Sequence, residues 1–226
     1  RDATVKGDLP RFAGPAEPLP RAGEAGRFAA AVDIGTTTVA VFLIESESGE
    51  AVDVLAQMNR QSVYGADVLS RIAHSDGGGL PAISTAIRAQ IHEMLWELTE
   101  RNGATLTDVG IVSVAGNTTM LHFLAGEDPS QIGRAPFTPV FIESREYPPE
   151  QLSLPLSERG AAILLPSVSA YIGADIVSAA VAVSMDQDPR TTLLVDIGTN
   201  GELALRHQDR IFACSTAAGP AFEGAS

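Results

Sequence analysis

Apolar residues recur along the chain with two different periods, and each period predicts a different kind of element. Short runs rich in Val, Ile, Leu and Phe, bounded by Gly, Asn or charged residues, predict β-strands. The first such stretch, residues 29–44, is a strand, a tight turn at Gly35 and a second strand. The other predicted strands are 51–58, 109–114, 162–165, 191–196, 201–205 and 210–214.

Helical periodicity is clearest over residues 83–101, where apolar residues recur on one face and Gly103 follows as a C-cap glycine. Asn117 is predicted to be the N-cap of a shorter helix. The shorter helices are predicted over residues 64–73, 116–124 and 169–183. Residues 127–160 are rich in Pro and polar groups and predict a long loop.

The order of the predicted elements repeats along the chain. Three strands come first, helices then alternate with single strands, and three strands follow again, which indicates an α/β protein with two related lobes. Residues 1–27, with four prolines among Gly, Ala and charged residues, predict a linker. We expect a first lobe with the connecting helix over residues 28–185 and the start of a second lobe over residues 186–226.

Charge and cysteine usage narrow the classes of function. The 226-residue chain has a formal net charge of −13, which repels nucleic-acid backbones and speaks against a nucleic-acid partner. The apolar stretch 161–183 contains Pro166, Gly173 and Asp175, which speak against a membrane span. The single cysteine, Cys214, cannot form an internal disulfide and is predicted to be a small buried strand residue. These features suit a cytoplasmic protein.

Two segments repeat one motif, a hydrophobic strand that ends in Asp-Ile-Gly-Thr and leads into a second strand. The first is Ala31–Thr38 and the second is Leu194–Gly201. A buried strand delivers its terminal Asp rigidly to the edge of a cleft, where a carboxylate suits Mg²⁺ bound through water. We therefore assign Asp33 and Asp196 as candidate metal-binding and catalytic residues.

The turn residues of both motifs suit phosphate. Glycine lets the backbone bend sharply and approach a phosphate closely, and the residues that follow offer hydroxyl and N–H groups. The candidates for phosphate contact are Gly35, Thr36, Thr37, Gly198, Thr199, Asn200 and Gly201. One such motif alone is typical of an ordinary hairpin, whereas two in the same context predict a pair that holds a triphosphate and its metal.

This pair of motifs resembles the phosphate 1 and phosphate 2 motifs of the superfamily of actin, sugar kinases and heat-shock chaperones. The resemblance implies an α/β fold of the actin-like ATPase (ribonuclease H-like) type, with a complete first lobe and a truncated second lobe. The segment Cys214–Pro220 resembles the glycine turn that follows the third strand of the second lobe in heat-shock chaperones. It adds Gly219 to the candidate nucleotide-binding residues.

Longer motifs narrow the family. They stand in one order over residues 28–226, and together they resemble the C-terminal domain of reductive activators of corrinoid proteins. The motifs are Asn59–Gln61, Tyr64–Val68, Gly116–Met120, Ala135–Pro139, Ser169–Asp175, Asp196–Glu202 and Ser215–Gly224.

The family resemblance implies a module that binds and hydrolyses ATP with Mg²⁺ and helps return cob(II)alamin to cob(I)alamin. The implied partner is a corrinoid protein or a cobalamin-dependent methyltransferase, and a homodimer is left open. Family members carry an N-terminal ferredoxin-like domain with a 2Fe-2S cluster, whose cysteines this sequence lacks. ATPase activity is therefore expected of a full-length parent, and this piece alone is expected to be inactive.

Some residues keep two interpretations. Glu202, the third catalytic candidate, either orders an attacking water or is an outward strand charge. Asp175 either faces the cleft or lies on a solvated helix face or in a cap. Tyr64 and Asp67 line either the cleft or a partner surface. His92 and Trp96, one helical turn apart, are expected to pack rather than to bind a cofactor.

Two further classes of function stay open. A small-molecule kinase of the same superfamily would need a pocket for a hydroxyl-bearing substrate and a general base near the γ-phosphate. A binding module would keep the fold without turnover. A fold alone does not decide among these classes, and the longer motifs favour the activator.

Overall fold

The structure, a computed structural model, describes residues 26–217. Within this range the first sheet has six strands in the order β3-β2-β1-β4-β6-β5. The strands are β1 (Phe28–Ile34), β2 (Thr38–Glu45), β3 (Ala51–Met58), β4 (Val109–Gly116), β5 (Arg145–Tyr147) and β6 (Ala161–Leu164). The pairs β1–β2, β2–β3 and β5–β6 are antiparallel, and the pairs β1–β4 and β4–β6 are parallel.

The alternation of side chains along β1 decides which face of this sheet is buried. Phe28, Ala30, Val32 and Ile34 point into the core, and the residues between them point to the other face. Because β1 and β4 run parallel, both strands end at the same edge of the sheet, where Ile34 lies opposite Gly116. The loops that follow the two strands therefore lie side by side.

Four α-helices accompany the strands in the described part of the chain. They are α1 (Val68–His74), α2 (Leu80–Arg101), α3 (Thr118–Ala125) and α4 (Ala174–Ala182). The long helix α2 contacts β2 and α3 with one apolar face. The completely or almost completely buried apolar residues of that face are Ile83, Ile87, Ile91, Met94, Leu95 and Leu98.

The second sheet consists, within the described residues, of an antiparallel meander of three strands. They are β7 (Thr192–Ile197), β8 (Asn200–His207) and β9 (Arg210–Ala217), in the order β7-β8-β9. Helix α4 contacts both β4 and β8 and so connects the two sheets. A small buried cluster at this junction is formed by Ile172, Ile176, Ala180, Met185 and Ala204.

The predicted strands are all present, with bounds that differ by a few residues, and the long helix is confirmed. This helix begins at Leu80, earlier than predicted, and follows a tight turn over Ser75–Gly79 in which Gly78 adopts a left-handed φ of 92°. Gly103 follows the end of α2 with a φ of 64°, as a C-cap glycine does. Across residues 26–217, none of the helices is both long enough and apolar enough to cross a lipid bilayer.

Two helix predictions were wrong at their starts. The helix predicted over residues 169–183 begins at Ala174, because Ser169 and Ile172 pair in an isolated bridge before it. The helix predicted over residues 64–73 is instead a 3-10 turn followed by α1.

The long loop predicted over residues 127–160 contains the short strand β5. This strand is three residues long and pairs with β6 at the edge of the sheet. Residues 1–25 and 218–226, which include most of the predicted linker and Gly219, lie outside the described residues.

Trp96 was expected to pack rather than to bind a cofactor, and the structure leaves 51% of its surface exposed on α2. The preceding residue, Leu95, is completely buried. One turn of α2 therefore presents a buried and an exposed side chain at adjacent positions.

Replacing Leu95 by Ala should lower the free energy of unfolding by about 2–5 kcal/mol, because it removes buried apolar atoms and leaves a cavity. Trp96→Ala is the matched control on the exposed face, and its cost should stay below about 1 kcal/mol. Urea unfolding followed by circular dichroism measures both values. Equal losses in the two variants would contradict the orientation of α2.

Candidate functional site

The tip of the first hairpin, residues 35–37 between β1 and β2, is held by a buried amide. Nδ2 of Asn59 donates a hydrogen bond to the carbonyl oxygen of Gly35 at 2.8 Å. The backbone N–H of Asn59 donates to the carbonyl oxygen of Thr37 at 2.7 Å. Asn59 is completely buried, and it follows directly on the end of β3, the strand that pairs with β2.

The middle carbonyl of the tip, that of Thr36, is held by an arginine. Nη2 of Arg71 donates to this oxygen at 2.8 Å, and Nε of the same side chain donates to the carbonyl oxygen of Gly65 at 2.9 Å. Arg71 lies on α1, whose start is fixed by a capping box between Asp67 and Ser70. The segment from Asn59 to α1 therefore holds all three carbonyl groups of the tip.

Asn117 links the same tip to the start of α3. Its Oδ1 accepts a hydrogen bond from the N–H of Met120 at 3.0 Å, which confirms the predicted N-cap. Its Nδ2 donates to the hydroxyl oxygen of Thr36 at 3.2 Å. The two loops approach this closely because residue 116 is glycine: a Cβ there would lie 2.7 Å from the carbonyl oxygen of Ile34.

The second hairpin, β7–β8, meets the first one tip to tip. The N–H of Gly198 donates to the carbonyl oxygen of Asn200 at 3.0 Å and closes the turn. The hydroxyl oxygens of Thr37 and Thr199 are 3.0 Å apart and share a hydrogen bond. The structure thus brings the two Asp-Ile-Gly-Thr motifs together between the two sheets.

Carboxyl groups of four described residues influence one another at this meeting point. Asp33 and Asp196 lie near the ends of β1 and β7, Glu202 is the cross-strand partner of Asp196, and Asp175 lies in the first turn of α4. Partial removal from water raises the pKa of Asp33 above its ordinary value, and the charge of Asp196 raises it further. The two motif aspartates are therefore close enough to repel each other.

Asp175 and Glu202 have the most strongly raised pKa values of this group. Burial, reinforced by the charges of Asp33 and Asp196, raises the pKa of Asp175 to about 6. Burial, reinforced by the charges of Asp175 and Asp196, raises the pKa of Glu202 to about 7. The hydroxyl of Ser215, which donates to Glu202 at 3.3 Å, acts in the opposite direction. The interpretation of Asp175 as a residue that faces the cleft is thereby favoured.

Asp175 reaches the cleft because α4 begins at a glycine in close contact with the loop after β4. A Cβ on Gly173 would lie 2.5 Å from Cα of Asn117 and 2.7 Å from the carbonyl oxygen of Gly116. A larger residue would push the start of α4 away from the hairpins. This contact carries the Asp175 carboxyl to the two motif aspartates.

A cavity of about 380 Å³ opens beside the two hairpins. It lies between the start of α1, the turn before α4 and the strands β8 and β9. Residues on its wall include Thr36, Asp67, Leu69, Tyr171, Thr199, Glu202 and Cys214. Of the two residues predicted to line either the cleft or a partner surface, Asp67 lies on this wall and Tyr64 does not. The prediction that Cys214 is buried is wrong, since β9 leaves this residue exposed.

The predicted site residues in the described range lie on the two hairpins, and their roles stay predictions. They are Asp33, Gly35, Thr36, Thr37, Asp196, Gly198, Thr199, Asn200, Gly201 and Glu202. Sequence reasoning missed Arg71, and it included Asn59 only as part of a family motif. A signal for Arg71 was available, because it follows Val68 by three residues and so falls on the helix face that apolar spacing assigns to the interior.

The acidic cleft fits a hydrated Mg²⁺. Neighbouring carboxylates that repel one another are stabilised by a nearby cation. Mg²⁺ commonly takes one or two carboxylates and keeps several waters, and Asp33 and Asp196 supply that number. Between residues 26 and 217 no group of three or more His, Cys, Asp or Glu side chains is arranged to hold a metal ion directly.

The raised pKa of Glu202 should make stability fall as the pH rises. Between about pH 4.5 and 7 the folded protein keeps a proton on Glu202 that the unfolded chain has lost, so stability is lost as the pH rises through this window. Glu202→Gln removes this group and should flatten the fall, as measured by urea unfolding at about pH 5 and about pH 8. Glu100→Gln, on the exposed face of α2, is the control. An identical slope in wild type and Glu202→Gln would contradict the raised pKa.

Comparison with known proteins gives a family match along almost all of the described chain. The family model described as the RACo middle region matches residues 28–188, and the model described as the C-terminal domain of RACo, the ASKHA domain, matches residues 190–226. The corrinoid activation enzyme RamQ of Eubacterium limosum is 32% identical over 197 residues, which are 86% of this chain and 33% of that protein.

Two further proteins are similar. The [Co(II) methylated amine-specific corrinoid protein] reductase of Methanosarcina barkeri is 26% identical over 205 residues, which are 86% of this chain and 37% of that protein. The solved structure of a reductive activator for corrinoid, iron-sulfur protein has a TM-score of 0.85 and 34% sequence identity, and the match covers 90% of this chain and 33% of that one. This chain spans about a third of the length of these relatives.

These matches confirm both the actin-like α/β fold and the family resemblance that the motifs carry. The two hairpins that meet at Thr37 and Thr199 lie one in each matched region. The chain belongs to the RACo family of reductive activators of corrinoid proteins, and it comprises the middle region and at least part of the ASKHA domain.

Proposed function

We propose that this chain is the ATP-binding and ATP-hydrolysing module of a reductive activator that helps return cob(II)alamin on a corrinoid protein to cob(I)alamin. The observation that carries the proposal is the tip-to-tip contact of the two Asp-Ile-Gly-Thr hairpins at Thr37 and Thr199, next to mutually repelling carboxyls. Backbone turns of this type bind phosphate groups, and carboxylates bind the metal that accompanies them. Membership in the RACo family supports the link between this module and the activation of corrinoid proteins.

In this proposal the two hairpins contact the phosphate groups of ATP from opposite sides. Asp33 and Asp196 hold Mg²⁺ through water. The bound metal would neutralise part of the phosphate charge that develops in phosphoryl transfer. The phosphate contacts come from Gly35, Thr36, Thr37, Gly198, Thr199, Asn200 and Gly201, with Gly219 as a further candidate.

Glu202 is the proposed residue that orders the attacking water. Its pKa of about 7 lets it accept a proton near neutral pH and release it again. It also lies on the wall of the cavity beside the hairpins, so a water molecule in that cavity is within its reach. Asp175 and Asp196 keep this pKa raised through their charges.

ATP would act on the partner through the arrangement of the two lobes. We place the first lobe at residues 28–185 and the second from residue 186 onward, so each hairpin belongs to a different lobe. A triphosphate that touches both hairpins binds one lobe arrangement better than others and shifts the equilibrium toward it. A corrinoid protein or cobalamin-dependent methyltransferase that recognises the same arrangement would then bind more tightly.

The electron transfer itself is assigned to another part of a longer protein. Relatives are about three times as long as this chain, and the single cysteine here cannot supply the ligands of a 2Fe-2S cluster. We propose that a ferredoxin-like domain with that cluster belongs to the same polypeptide in the cytoplasm. The role of the present chain is then to couple ATP to the reduction of the corrinoid.

In the full-length protein, Asp33→Asn or Asp196→Asn should reduce ATP turnover by about 10²-fold or more, because each change weakens the electrostatic stabilisation of the transferred phosphoryl group. Asp209→Asn, in the exposed turn between β8 and β9, is the control with the same chemical change in the second lobe. Release of inorganic phosphate from Mg-ATP measures turnover. Normal turnover in both site variants would refute the assigned roles.

The proposed function as a whole predicts a reciprocal effect of the partner. A corrinoid protein carrying cob(II)alamin should change the affinity of the full-length protein for ATP, and ATP should change the affinity for that corrinoid protein by the same factor. Titration calorimetry with each ligand in the presence and absence of the other measures both factors. If no corrinoid protein alters ATP binding while a small hydroxylated compound is phosphorylated, the kinase alternative replaces the proposal.

A further inference from the structure

Arg71 is an arginine without a carboxylate partner beneath the first hairpin tip. Only 1% of its surface is exposed. Its guanidinium donates to the carbonyl oxygens of Thr36 and Gly65 and lies 3.6 Å from the sulfur of Met120. None of the ion pairs formed among residues 26–217 includes Arg71. Burial lowers its pKa, and the more distant charge of Asp67 counteracts this only in part.

Such an arrangement is unfavourable unless a negative charge balances it. A buried guanidinium loses its hydration, and backbone carbonyl groups restore only part of that loss. An arginine that served only to connect α1 with the hairpin would be better placed with a carboxylate beside it. An anion bound on the other side of the hairpin tip would supply the missing negative charge.

The hydrogen bonds of the tip leave room for that anion on the side away from Arg71. The carbonyl groups of Gly35, Thr36 and Thr37 are held by Asn59 and Arg71. In a trans peptide the N–H points opposite to the C=O of the same peptide unit. The N–H groups of Thr36 and Thr37 are therefore turned away from the side chains that hold the carbonyls, in the orientation that an anion requires.

We propose that Arg71 is a positioning residue for phosphate: it holds the carbonyl groups of the hairpin tip away from the ligand and places a fixed positive charge behind the tip. The inference rests on the proposed binding of ATP at the two hairpins and adds a residue that does not itself touch the nucleotide. Its charge acts across one layer of backbone in a region with little water, where it is weakly screened.

The test compares Arg71→Met with Arg88→Met in the full-length protein. Arg88 is the matched control, because it also lies on a helix, is partly buried with a lowered pKa and donates to a backbone carbonyl, that of Leu124 at 2.9 Å. It lies on α2 and makes none of the hydrogen bonds of the tip. The ligands are Mg-ATP and inorganic triphosphate, each measured by titration calorimetry.

Arg71→Met should weaken the binding of both ligands by about tenfold or more, whereas Arg88→Met should leave both affinities unchanged. The loss should extend to triphosphate because the proposed contact is with phosphate and not with the nucleoside. Arg71→Lys keeps a positive charge at this position and should recover part of the affinity that Arg71→Met loses. For a merely structural residue, the loss of affinity would instead follow the change in amide exchange of residues 34–39 in both variants.

Hydrogen exchange of the unliganded protein tests whether Arg71 holds the carbonyl groups of the hairpin tip in place. Amide exchange in residues 34–39 should accelerate in Arg71→Met and stay unchanged in Arg88→Met. Arg71→Lys is the milder substitution, and it serves as the test variant if Arg71→Met does not fold. Lysine keeps the charge but lacks the fork that spans two carbonyls, so exchange should rise while part of the affinity for triphosphate is retained.

The outcomes separate this inference from the proposed function. If wild type binds neither Mg-ATP nor triphosphate, the proposed function fails, and with it the role of Arg71 toward phosphate. If wild type binds both ligands and the Arg71 variants bind them equally well with unchanged exchange in residues 34–39, the Arg71 inference is overturned and the proposed function stands. Equal losses in Arg71→Met and Arg88→Met would also overturn it.

Discussion

The parallel pairing of β1 with β4 is the constraint on which the rest of the site depends. It sets Ile34 opposite Gly116, so the loop after β1 and the start of α3 lie at one edge of the sheet. Asn117 can then bond to Thr36 while it caps α3. Gly173 packs against the same loop and brings the first turn of α4 to this edge. A single strand register thus assembles residues that lie far apart in the sequence.

The tip of the first hairpin lies between a positive and several negative charges. The buried Arg71 lies on one side of it, and carboxyl groups of both sheets, among them Asp33 and Asp196, lie on the side of the cleft. Burial raises the pKa values of Asp175 and Glu202, and the charges of the neighbouring carboxyls raise them further. The proposed ligand, a triphosphate with its metal, would match both sides at once, because the metal would meet carboxylates and the phosphates would meet the N–H groups.

The sequence predicted the parts of the fold that depend on local patterns. Both hairpins, the long helix α2 and the N-cap at Asn117 follow from residue spacing and capping chemistry, and the structure confirms them. The edge strand β5 has three residues and no pattern of its own, since its pairing with β6 arises from the tertiary fold. Cys214 was placed wrongly because residue type alone does not tell which side of an element meets the core.

Long-range polar contacts limited the prediction of the site. The sequence placed the motif aspartates in one cleft, and their electrostatic coupling agrees with that placement. Helical spacing could have placed Arg71 in the interior, but it could not have named the partner of Arg71, because this partner is the backbone of Thr36, and a backbone carbonyl carries no signature in the sequence. The same holds for the carbonyl groups that Asn59 binds. Side chains that act on the ligand were therefore easier to predict than side chains that shape the loop.

The contact between Thr37 and Thr199 is the point at which the proposed nucleotide would act on both hairpins at once. One hydrogen bond between hydroxyls contributes about 0.5–1.5 kcal/mol net. The charge of Asp196, which adds to the effect of burial on the pKa of Asp33, acts across the same cleft and opposes this contact. In the proposed complex, a triphosphate with Mg²⁺ would add contacts to both hairpins and reduce that repulsion, so both changes would favour closure. The free energy available to alter a partner's binding would then be the difference that the nucleotide makes between the arrangements of the two hairpins.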